Sequence, residues 1–171
     1  MPTQTIAGVH VEEHPNAFQP DAGDVSYPAY SETETLTGDT LDALFRDDHL
    51  PVRERFAAVA ADLSMTYPYE VGRTRIVFHV TASEVVKVPR TEEGMLASSG
   101  EAHWSEKNGK TGYIPVADTR IDFIDDVPVL RMEKIRHPTK AERRAFPDWT
   151  GSVDCAQVGY DRHGVLVAFD L

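Results

Sequence analysis

The chain of 171 residues has one cysteine, Cys155, which excludes an internal disulfide and a cysteine-based zinc cluster. No run of about twenty apolar residues occurs, and the N-terminus shows no basic-then-apolar leader pattern. The expectation is a soluble cytoplasmic protein with no membrane partner. Basic residues are scarce: 17 Lys and Arg stand against 28 Asp and Glu, a net charge of -11 with a pI near 5.0. Such a surface repels phosphate backbones, so no nucleic-acid partner is expected. The same imbalance, with only five lysines among the bases, suits a protein kept soluble in high salt, as in a halophile or its virus. Metal-ligand spacing is missing too, since the histidines at 10, 14, 49, 79, 103, 137 and 163 form no HExxH or similar cluster. Ser98-Ser99-Gly100 lacks the strand-to-helix elbow of a serine hydrolase, and Cys155 reads as a buried thiol.

What is present divides at residue 36. Residues 1–36 carry Pro2, Pro15, Pro20 and Pro28 among scattered acids, with apolar patches too brief for a core, and read as an irregular arm. Residues 37–171 read as a single α+β domain. Asp39 or Thr40 can cap a short helix with Leu41, Leu44 and Phe45 on one face. A second helix starts at Pro51 and places Val52, Phe56, Val59, Ala60 and Leu63 at helical spacing. From Tyr67 the period changes, and the alternation around Ile76, Phe78 and Val80 followed by "EVVKVP" predicts a hairpin over 73–80 and 84–88. "MLASSGEAHWSEKN" predicts a helix capped by Ser98 or Ser99, with Glu101 in its first turn. Two more strands, Val116 to Phe123 and Val127 to Glu133, turn at Asp125-Asp126, and "HPTKAERRAFPDW" is a short polar helix or loop. The end of the chain predicts another hairpin, turning through Asp161 to Gly164.

This order resembles the small lobe of the protein-kinase fold. Lys87 in "VVKVP" stands where the V-A-I-K strand motif places its lysine, and Glu101 falls on the following helix, which supplies the lysine's partner. The resemblance implies a small-lobe antiparallel sheet with one or two packed helices and a C-terminal hairpin. It also implies that Lys87 and Glu101 form a pair serving ATP phosphates, with Met132 flanking an adenine pocket and Glu133 beginning the hinge. Gln157, thirteen positions before Asp170, and Asp170 itself would stand for the two magnesium ligands.

The chain departs from the kinase pattern where chemistry is done. Gln157 replaces Asn, no G-x-G-x-x-G precedes the lysine strand, and Ser152 occupies the position of the catalytic Asp. Asp154 is the nearest acid to that position and the one catalytic candidate. The stretch between Glu133 and Gln157 is too short for a helical large lobe. The expectation is therefore a degenerate kinase-like protein without phosphotransfer, acting as an interaction or accessory factor, viral among the options, with a protein partner. The alternative is a small phosphotransferase binding ATP and magnesium through Lys87, Glu101 and Asp170.

Overall fold

The computed structural model describes residues 34–153 and 157–169. Asp154, Cys155, Asp170 and Leu171 lie outside them, as does most of the proline-bearing arm.

Four α-helices and a five-stranded antiparallel sheet make a mixed α+β fold among the described residues. Helices α1 (Gly38–Leu44) and α2 (Arg53–Ser64) come first. Strands β1 (Tyr69–Val71), β2 (Arg75–His79) and β3 (Glu84–Pro89) follow, then α3 (Glu92–Asn108). Next come β4 (Thr119–Ile124), β5 (Val127–Glu133) and the single-turn α4 (Lys140–Arg143). A separate hairpin of β6 (Val158–Tyr160) and β7 (Leu166–Ala168) closes the described chain. The sheet runs β1-β2-β3-β5-β4, which puts the lysine strand in the middle.

Alternation sorts the sheet's side chains onto two faces. Ile76, Phe78, Val86, Val88, Val127 and Val129 meet Phe45, just past α1, and Phe56, Val59 and Ala60 of α2 in the main core. Leu36 belongs to that core as well, its N–H donating to Ser64 Oγ. On the other face Val85 and Met132 pack with Ala117 and with Val167 of the closing hairpin, flanked by Val77, Ile135 and Phe169. Helix α3 crosses this second face. Its Gly94 lies so close to Thr74 that a Cβ there would stand 2.2 Å from the Thr74 carbonyl oxygen.

The hairpins fall where alternation and turn chemistry put them. At the β4–β5 turn Asp125 and Asp126 both take positive φ (49° and 60°), and Gly164 takes φ 78° in the closing turn. The start of α3 differs from expectation. Thr91 is its N-cap, accepting the Gly94 N–H, and Glu92 and Glu93 occupy the first turn. Ser98 and Ser99 are interior, their hydroxyls bonded back to Gly94 and Met95 carbonyls, and Glu101 sits mid-helix. Early acids beside the positive end of the helix dipole, behind a threonine cap, were the stronger start signal. Thr37 likewise holds the N-cap position of α1, in place of Asp39 or Thr40.

Candidate functional site

Strand β3 is covered on both faces, and every residue from Val85 to Pro89 is buried. Lys87 points to the face that α3 crosses. Its Nζ lies 3.2 Å from Glu101 Oε2, and the other carboxylate oxygen, Oε1, accepts from Arg75 Nη1 at 2.5 Å. Lys87 and Glu101 are only 3% and 2% exposed, and Arg75 is buried with them. A carboxylate between two cations compensates the loss of hydration that each charge suffers on burial. The structure thus brings Lys87 and Glu101 together and adds Arg75, which the sequence reading does not pick out. Its signal lay in the alternation: with Ile76 and Phe78 inward to one core, Arg75 and Val77 must share the opposite face, that of Lys87.

Met132 and Glu133 are also near this face but do not form an open rim. Met132 is buried against Val85, Ala117 and Val167. The Glu133 N–H donates to the Asp118 carbonyl at 2.9 Å, and the Lys134 N–H donates to the Ser83 carbonyl at 2.8 Å. The Glu133 carboxylate accepts from the Asp118 N–H and from Lys110 Nζ. Gln157 is placed by its backbone, whose carbonyl accepts the Phe169 N–H at 2.9 Å, beside the closing hairpin. Asp170, the other expected magnesium ligand, and Asp154, the expected catalytic acid, are outside the described residues.

No protein-family model, no curated protein and no solved structure matches this chain. Its chemistry is read from its own geometry.

A second charged cluster, absent from the sequence reading, joins the closing hairpin to the end of β5. Lys110 Nζ lies 2.6 Å from Asp161 Oδ2, 3.0 Å from Glu133 Oε2 and 3.3 Å from Asp118 Oδ2. Asp161 Oδ1 also accepts the N–H groups of His163 and Val165, the local turn chemistry of an Asp beside a hairpin loop. Burial pushes the Asp161 carboxyl up, but the Lys110 ammonium and the two backbone donors outweigh it and hold it below the usual carboxylate range. For Lys110, burial works against the charge, and hydrogen bonds to Asp161 and Glu133 override it and raise its pKa. Both groups therefore stay ionised and clamp the hairpin.

Among the described residues no group of three or more His, Cys, Asp or Glu side chains is arranged to hold a metal ion. No described helix is long and apolar enough to cross a membrane.

Proposed function

We propose that this chain is a kinase-like protein that does not transfer phosphate and works as an interaction or accessory module for a protein partner. In this reading the small-lobe pattern survives as a scaffold. The strand order β1-β2-β3-β5-β4, with the lysine on the middle strand and the glutamate on the helix after it, supports the likeness.

The observation that carries the loss of nucleotide chemistry is the filling of the second sheet face. Val85 and Met132, the residues that would frame an adenine ring, are buried against Val167 and flanked by Phe169. A purine needs an apolar slot of its own there, and these side chains occupy it at core density. The β5 exit offers no free adenine donor at Glu133 or Lys134, because both N–H groups are bonded within the fold. Lys87, buried and bonded to Glu101, serves as a strut in place of a phosphate ligand. In this reading the chain's own side chains fill the adenine slot, and no step is routed through ATP or magnesium.

The test is a melting scan with and without Mg-ATP. A ligand at about a hundred times its Kd stabilises the native state by about 2.7 kcal/mol, which a scan resolves. We expect no shift at millimolar Mg-ATP and no transfer of labelled phosphate. A magnesium-dependent rise in Tm that disappears in a folded Lys87→Met variant would overturn the reading in favour of an ATP-binding phosphotransferase.

A further inference from the structure

Helix α3 ends on a reactive pair of residues. The chain has two asparagines, Asn16 before Ala17 and Asn108 before Gly109. Asn108 is the last residue of α3, and Gly109 opens a single 3-10 turn, Gly109–Thr111. Gly109 takes φ 52°, a backbone conformation that residues with a Cβ rarely adopt, so the glycine is what lets the chain leave the helix here. The space that a Cβ would take is open, with nothing within 4 Å.

The same missing Cβ leaves the Gly109 nitrogen unshielded towards the Asn108 side chain. Nitrogen and Asn108 Cγ are joined through one residue, so they meet at the high effective concentration of an intramolecular reaction. Hydrogen bonds hold them back. The Gly109 N–H donates to the Ser105 carbonyl, and Asn108 Nδ2 donates to the Trp104 carbonyl at 3.2 Å. The Gly109 carbonyl accepts the Val116 N–H at 2.9 Å. Asn108 keeps a near-helical ψ of -40°, and ring closure needs the peptide after it to turn out of that position. The bonds to Ser105 and Trp104 lie in the last turn of the helix, the part that frays most readily.

Those bonds also set the consequence of reaction. A carboxylate at position 108 cannot donate to the Trp104 carbonyl, and it puts a negative charge at the negative end of the α3 dipole. Lys110, two positions on, already faces Asp118, Glu133 and Asp161 and has little positive charge left for another acid.

We propose that Asn108 is a self-modification site, at which the end of α3 converts its own asparagine to aspartate and isoaspartate. The Gly109 nitrogen, its proton taken by hydroxide, attacks Asn108 Cγ. The N–Cγ bond forms, the Cγ–Nδ2 bond breaks, and Nδ2 leaves as ammonia with a proton from water. Water then opens the succinimide. Breaking N–Cγ gives aspartate, and breaking the bond from N to the Asn108 backbone carbonyl carbon gives isoaspartate. Either product loosens the turn that restrained the reaction, so the change is one-way and marks the age of the molecule. It stands independently of the kinase-like reading above.

The test ages the full chain at physiological temperature and maps its peptides by mass spectrometry, with enzymatic methylation to detect isoaspartate. Conversion is expected at Asn108, faster as pH rises above neutral, with Asn16 lagging because Ala17 carries the Cβ that Gly109 lacks. In urea, where no fold intervenes, Gly109→Ala should slow conversion at Asn108. Asn108→Asp, a copy of one product, should lower Tm and weaken the helical circular dichroism, whereas Asn108→Gln, still a neutral donor, should melt close to the parent. A folded chain that keeps Asn108 intact while the urea-unfolded chain converts it overturns the proposal, because the turn is then a complete shield. Equal conversion at Asn16 and Asn108 overturns it too, as does an Asn108→Asp variant with the parent's Tm.

Discussion

Glu101 holds one negative charge between the Arg75 guanidinium and the Lys87 ammonium, all three buried beneath α3. The pairing is a solution to a sequence constraint: a lysine in the middle of an apolar strand needs a carboxylate, and the helix that follows supplies it. Glu101→Ala removes the carboxylate that both cations share. It should destabilise the fold by about 3–5 kcal/mol, the usual penalty for removing one partner of a buried pair, read from urea unfolding. Lys87→Met keeps the Arg75–Glu101 pair and much of the apolar stem, so its loss should be clearly smaller. An Ala variant as stable as the parent would show that the cluster is hydrated and contributes nothing.

Helix α3 shows how two glycines six positions apart can have opposite requirements. Gly94 lies where the helix meets the Thr74 backbone, so Gly94→Ala forces backbone apart and should cost about 1–3 kcal/mol. Around Gly100 a Cβ would meet nothing within 4 Å, so Gly100→Ala should raise stability by about 0.5–1 kcal/mol through helix propensity. Matching changes in the two denaturation midpoints would contradict the packing described here. In α4 the Glu142 carboxyl is lowered to about 2, first by the Arg136 guanidinium and then by the Thr139 N–H. A carboxyl depressed from its usual 4.5 supports the folded helix turn above that value and loses this support as pH falls towards 2. The Thr139 amide, which donates to Glu142 Oε2, should therefore report an NMR titration centred near pH 2. A midpoint in the ordinary carboxylate range would mean the cap is open in solution, and Glu142→Gln should leave the amide flat across the window.

At the scale of the whole molecule, charge works against compactness. With a net -11, self-repulsion is long-ranged at low ionic strength and screened at high. Between about 0.01 M and 1 M NaCl the Debye length shrinks from about 30 Å to about 3 Å. Exposed pairs such as Arg73–Glu93 also weaken with salt, but each contributes little. Tm should therefore rise across that range, while the buried Arg75–Glu101–Lys87 cluster is unaffected. A fall in Tm would show that attraction between surface charges outweighs their repulsion.

The sequence alone determined the elements whose signal is local. Helix α2, the β2–β3 and β4–β5 hairpins and the closing turn at Gly164 follow from periodicity and turn residues within a few positions of one another. The resemblance to the kinase small lobe brought Lys87 and Glu101 into one reading, and the structure pairs them. Tertiary structure decided what lies across those elements. Arg75 joins Glu101 over 26 positions, and Lys110 joins Asp161 over 51, distances at which no residue pattern announces a partner. The packing of Val167 against Val85 and Met132 is of the same kind. An apolar face must be covered, and its own strand states this plainly. What covers it, a ligand or another part of the chain, depends on which surfaces meet when the whole molecule closes.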